Sequence, residues 1–132
     1  MNYLLDTHAL LWAIRDSQKL SAKARSIIAD RQNKIFVSAV SFWEISKARL
    51  GRFSFGGVET KIFPRAAFDM DFSLIPLKSQ IAADFYDLPL KDRHKDPFDR
   101  MLIWQAIVNR YTLISKDENF RSYQADGLQL VW

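Results

Sequence analysis

Five acids in this chain stand where a fold can gather them: Asp6, Glu44, Asp96, Asp99 and Asp117. Asp6 ends the apolar run Tyr3-Leu4-Leu5. Glu44 sits in Ser41-Phe42-Trp43-Glu44-Ile45, Asp96 and Asp99 bracket Pro97-Phe98, and Asp117 follows Leu113-Ile114-Ser115-Lys116. Converging carboxylates repel and raise one another's pKa, so such a cluster is usually held by a metal. An all-oxygen ligand set suits Mg²⁺ or Mn²⁺ rather than zinc. Mg²⁺ held by a few carboxylates keeps several waters and takes phosphate oxygens as further ligands, which is the setting for phosphodiester hydrolysis.

Each acid also has a plainer use. Asp6, Asp96 and Asp117 fit the N-cap positions of the segments that follow them. Asp99 complements the dipole in the first turn of its helix. Ser41-Phe42-Trp43-Glu44 is a capping-box pattern for a helix over residues 42–50. A helix starting at Ser38 instead puts Glu44 on its second turn, where capping no longer explains it. Basic residues lie close in sequence to the acids: Lys47, Arg49, Arg52, Arg93, Lys95, Arg100 and Lys116. With an acidic pocket they would form the rim that holds a nucleic-acid backbone, and Arg100, Lys116 and His94 are the candidates for phosphate contact. As an ordinary surface they need no such role. Trp12, Phe42, Trp43 and Phe98 read as core, and His8 as a supporting or structural neighbour of Asp6.

The elements that must position these groups follow from periodicity and caps. Residues 3–5 and 35–37 are short apolar or β-branched runs and read as buried strands. Residues 73–77 form a weaker strand ending at Pro76, 112–115 a fourth and 128–132 a fifth. Helices are expected over 7–15, over 21–30 with Ser21 as N-cap, over 42–50 with Gly51 after its end, from about Pro64, and over 79–87 with Ile81, Ala82 and Phe85 inward. The central helix, residues 97–110, has Asp96 as N-cap, Pro97 in its first turn and an apolar face of Leu102, Ile103, Ala106 and Ile107. Residues 52–57 and 88–95 read as loops, and 118–123 as a short helix or turn. Strands alternating with helices argue a parallel α/β sheet covered on both faces, with ligands beyond the carboxyl ends of the strands.

The 132 residues suit one domain, and 48% hydrophobic with 26% charged composition is that of a globular chain. No apolar run approaches the ~20 residues that span a bilayer, and the N-terminus does not read as a signal peptide. The absence of cysteine excludes disulfides, thiolate metal sites and a Cys nucleophile, and it agrees with a cytoplasmic location. A net charge of +4 leans toward a polyanionic partner.

Four segments resemble the four motifs of a PIN domain: Leu4-Leu5-Asp6-Thr7-His8; Val37-Ser38-Ala39-Val40-Ser41-Phe42-Trp43-Glu44-Ile45; His94-Lys95-Asp96-Pro97-Phe98-Asp99-Arg100-Met101-Leu102-Ile103; and Leu113-Ile114-Ser115-Lys116-Asp117. Order and spacing match over essentially the whole chain. The combination resembles the toxin of a VapBC-type (type II) toxin–antitoxin pair, a family of small single-domain ribonucleases. The resemblance implies a single domain over 1–132 with a central parallel sheet of about four to five strands flanked by helices. It implies one or two Mg²⁺ or Mn²⁺ ions on Asp6, Glu44, Asp99 and Asp117, with Ser115 as a supporting hydroxyl and Asp96 as cap and support. It also implies RNA hydrolysis by a metal-activated water, a VapB-type antitoxin whose C-terminal segment covers the acidic site, and a homodimer. Trp104 and Ser115 depart from the commoner small residue and Thr, and neither departure removes an acid. The alternatives are a non-catalytic RNA- or partner-binding module on the same fold, and a phosphotransfer domain. The latter wants a second Asp where His8 stands.

Overall fold

The computed structural model describes residues 1–48, 60–91 and 93–132. At its centre is β1 (Asn2–Leu5), where Leu4 and Leu5 are fully buried on opposite faces. Its parallel neighbours are β2 (Lys34–Ser38) and β4 (Thr112–Ile114). Beyond them lie β3 (Ser73–Ile75) and β5 (Gln129–Val131), so the order is β3-β2-β1-β4-β5 with every pair parallel. Strands covered on both faces need apolar residues at successive positions rather than alternate ones. Tyr3-Leu4-Leu5 and Ile35-Phe36-Val37 supply this, and all six residues are buried.

One face carries α1 (Thr7–Arg15), α2 (Ala22–Ala29) and α4 (Phe63–Asp69). Leu10, Leu11, Ala24, Phe63 and Ala67 pack there with Leu5, Ile35, Val37 and Ile114. The other face carries α6 (Pro97–Asn109) and a 3₁₀ run (Glu118–Asp126), whose Ile103, Ala106, Phe120 and Tyr123 cover Leu4, Phe36 and Leu113. Between the layers, α3 (Ala39–Ala48) leaves β2 and touches both α1 and α6. The short α5 (Ser79–Ala83) is tied to α6 by Trp104, whose indole N–H donates to the Ile81 carbonyl at 3.0 Å. Among the described residues, no helix is long and apolar enough to cross a membrane.

Several local expectations change. α3 begins at Ala39, not at residue 42, because Ser38 Oγ accepts the Val40 N–H at 3.0 Å and starts the helix earlier. Ser41 is then buried inside the helix, where its hydroxyl meets Thr7 Oγ1 at 3.2 Å. The expected helix end at Gly51 and the loop over 52–57 lie outside the described residues. Residues 79–87 divide into α5 and a 3₁₀ turn (Asp84–Asp87), with Ala82 exposed rather than inward. Trp43, read as core, is 61% exposed on α3. The 3₁₀ run ends at Gly127 with φ +102°, a conformation that a side chain would strain.

Gln105 lies within the apolar face of α6 and is fully buried. Its Oε1 accepts from the Ser38 hydroxyl and its Nε2 donates to the Pro76 carbonyl at 3.3 Å. The amide therefore fastens α6 to the carboxyl ends of β2 and β3. Gln105→Ala leaves the buried Ser38 hydroxyl without its acceptor and opens a void. The expected cost is about 2–4 kcal/mol, read as a lower urea midpoint with an unchanged m-value.

Candidate metal centre at the sheet edge

The chain leaves β1 and β4, adjacent strands, toward opposite faces. Asp6 leads into α1 on one face, and Ser115-Lys116-Asp117 leads into the 3₁₀ run on the other. Divergence of this kind opens a crevice beyond the carboxyl ends of the strands. The cleft found there is lined by all five singled-out acids, Asp6, Glu44, Asp96, Asp99 and Asp117, together with Thr7, His8, Trp12 and Lys116. Its volume of about 360 Å³ leaves space for an ion and a phosphate group.

Three of the acids are indeed caps, and capping is how the backbone fixes them. Asp6 Oδ1 accepts the Ala9 N–H at 2.8 Å, Asp96 Oδ1 accepts those of Phe98 and Asp99 at 2.9 and 3.0 Å, and Asp117 Oδ1 accepts that of Asn119 at 2.9 Å. In Asp96 and Asp117 the cap uses Oδ1, so Oδ2 stays available. Glu44 and Asp99 serve no cap. Glu44 lies on the second turn of α3 and its Oε1 accepts the Thr7 hydroxyl. Asp99 Oδ2 lies 3.4 Å from His94 Nε2, and His94 Nδ1 lies 2.9 Å from the Tyr123 hydroxyl. Ser115 is buried, its hydroxyl favours the charged form of the Asp6 carboxyl, and its Oγ accepts the Asp117 N–H at 3.1 Å. It thus links the acids after β1 and β4.

The tightest grouping is not the one expected. Glu44, Asp96 and Asp99 each offer a carboxylate oxygen within 4.8 Å of the others. Asp96 therefore joins the ligand-like trio while capping α6, and Asp6 and Asp117 line the same cleft. Two expected phosphate contacts are turned to other tasks. Arg100 donates to the Leu88 carbonyl at 2.9 Å and lies 4.9 Å from the centre of the Phe85 ring. Both ring nitrogens of His94 are engaged, and its side chain is 9% exposed. Lys116 alone of the three lines the cleft. Trp12 packs against the core as expected and also lines the cleft one turn beyond His8, and Thr7 joins the site without having been expected there. The available signals were the hydroxyl next to Asp6 and the i,i+4 spacing that puts His8 and Trp12 on one helix face.

Charge crowding shows in the acids themselves. Burial pushes Asp6 up to about 6, against the lowering by its bonds to Ser115 and Ala9. Burial, then repulsion from Asp96, Glu44, Asp6 and Asp117, pushes Asp99 up to about 8. Glu44 is raised by burial and by Asp96, and burial lowers His94. A divalent cation relieves this repulsion, and the all-carboxylate donor set fits Mg²⁺ or Mn²⁺.

For Asp6 and Asp99 the direction of the pH dependence follows from the raised values. As pH rises from about 4 to 8, the folded chain keeps protons on Asp6 and Asp99 that the unfolded chain has released. Without metal, the stability these two acids contribute is full at low pH and is lost as pH rises through about 6 and then about 8. In EDTA the protein is expected to melt lower at pH about 8 than at pH about 6.5, above the range in which the lowered His94 acts in the opposite sense, and Asp99→Asn is expected to flatten that slope. Melting curves of both proteins across the range check this.

A model of the PIN domain matches residues 3–126. In fold the chain is similar to VapBC2 from Rickettsia felis, solved bound to a DNA fragment from its promoter, at 16% identity and TM-score 0.66, covering 99% of this chain and 98% of that one. It is similar to VapBC-1 from nontypeable Haemophilus influenzae at 19% identity and TM-score 0.66, covering 99% and 97%. It is also similar to FitAB bound to an IR36 DNA fragment at 15% identity and TM-score 0.64, covering 98% and 93%. A comparison with curated proteins gives no match. With nearly its whole length accounted for by one model, the chain belongs to the PIN domain family, whose members are generally nucleases.

Proposed function

We propose that this protein is a Mg²⁺- or Mn²⁺-dependent endoribonuclease that acts as the toxin of a toxin–antitoxin pair. The observation that carries the reading is the convergence of five carboxylates in one cleft at the sheet edge, three of them within 4.8 Å of each other. Glu44, Asp96 and Asp99 would hold the ion, with Asp6 and Asp117 completing its surroundings. The bound ion would neutralise phosphate charge and lower the pKa of a bound water, so that it loses a proton to solvent and hydroxide is available at neutral pH. Thr7 orients Glu44 through its hydroxyl donor, and Ser115 favours the charged form of Asp6. Lys116 supplies a cation on the cleft wall for a neighbouring phosphate. No side-chain nucleophile is required.

The toxin role and its partner rest on likeness to the VapBC and FitAB assemblies. The partner would be a VapB-type antitoxin that covers the acidic cleft, and the toxin would itself be a homodimer in the cytoplasm.

The purified protein, free of partner, is expected to cleave RNA in Mg²⁺ or Mn²⁺ and to lose cleavage in EDTA. Asp6→Asn and Asp99→Asn should each lower the rate by at least about 100-fold while circular dichroism stays unchanged. Near-normal cleavage by a folded Asp99→Asn protein would overturn the site. Mn²⁺ should also raise the melting temperature, since an ion at 100 times its Kd adds about 2.7 kcal/mol to the folded state.

A further inference from the structure

The cleft has one wall that an ion and a phosphate do not explain. Trp12 lines it, half-buried, on the same face of α1 as His8 and beside Lys116. The indole packs against the core cluster that contains Leu10 and Leu11, and the Trp132 ring lies 5.8 Å away at 57°. Those contacts hold its plane. The His8 ring lies 5.6 Å from it, and Lys116 Nζ stands 6.0 Å over the ring centre. Carboxylates recognise the metal and an ammonium recognises a phosphate, but neither recognises a base. An electron-rich ring next to an acidic site does, once the flexible Lys116 chain swings from over that ring to a phosphate.

We propose that Trp12 is a stacking platform for one unpaired nucleobase of the RNA whose phosphate lies at the acids, with Lys116 holding an adjacent phosphate; this rests on the nuclease reading above. The platform takes single-stranded RNA, because a base inside a duplex has no free face to offer. It is tolerant of sequence, since every base has a π-face. Trp12 is thus a positioning residue, and base identity must be read elsewhere.

The test separates this from turnover. Binding of a fluorescently labelled 12-nucleotide single-stranded RNA in Mg²⁺ is followed by anisotropy in an Asp99→Asn background, which blocks cleavage. The same RNA carrying abasic ribose units serves as the second probe. Stacking predicts that adding Trp12→Leu weakens binding of the intact RNA about tenfold, and Trp12→Phe only about two- to threefold. It predicts that removing the bases weakens binding to the Trp12 protein about tenfold and barely changes binding to the Leu variant. A Leu variant with an unchanged melting temperature and unchanged RNA affinity overturns the proposal. So does an equal abasic penalty in both proteins, or no RNA binding at all. Wild-type cleavage is assayed separately. If it is absent while the Trp12 dependence of binding holds, the nuclease reading fails and the platform stands; cleavage with no Trp12 dependence gives the reverse.

Discussion

Like charges are gathered at one edge of this sheet, and most of the local architecture serves to hold them there. Left alone, five carboxylates sharing a cleft would spread apart or take up protons, and Asp99, pushed up to about 8, shows the second response. The first is prevented by the backbone. Asp6, Asp96 and Asp117 are each pinned by N–H groups at the start of the following segment, so the bonds that begin three elements also fix three acids. Parallel pairing completes the arrangement, because it brings the carboxyl ends of β1, β2 and β4 to the same edge.

The remaining two acids depend on contacts between elements. Glu44 is oriented by Thr7 of α1, and Asp99 faces His94, itself held by Tyr123 of the 3₁₀ run. The apolar layers beneath are continuous, and polar links between elements tie α3 and α6 to their neighbours. Ser38 to Gln105 and Ser41 to Thr7 are two such links, and all four side chains are buried. A buried hydroxyl or amide demands one partner in one direction, which apolar packing alone does not.

How much was legible in the sequence follows from that distinction. The strands and their parallel arrangement were readable, because burial on both faces forces unbroken apolar runs such as Tyr3-Leu4-Leu5. The starts of α1, α2 and α6 were readable, because Asp6, Ser21 and Asp96 cap locally. The start of α3 was not, since Ser38 and Ser41 are equally good caps by type; in the fold Ser38 accepts the Val40 N–H and Ser41 turns to Thr7 instead. Asp96 reads first as a cap, and the proximity of its carboxylate to Glu44 is a tertiary fact. Arg100 lies next to Asp99 in sequence, yet a helix turns adjacent residues about 100° apart, and its guanidinium reaches the 88–89 carbonyls instead. Large aromatics usually read as core: Trp12 does pack against it and lines the cleft as well, whereas Trp43 is mostly exposed.

The double duty of Asp96 also limits how this position can drift. Asparagine caps a helix as well as aspartate does but brings no charge to the trio. Glutamate brings the charge, but its longer side chain is a poorer cap. Serine and threonine cap and are neutral. No other amino acid combines a short side chain with a full negative charge, so every single replacement surrenders either the beginning of α6 or a third of its closest carboxylate group. Two unrelated demands thus fall on one codon, and only their combination holds it: without the demand for charge Asn or Ser would serve, and without the demand for a cap Glu would.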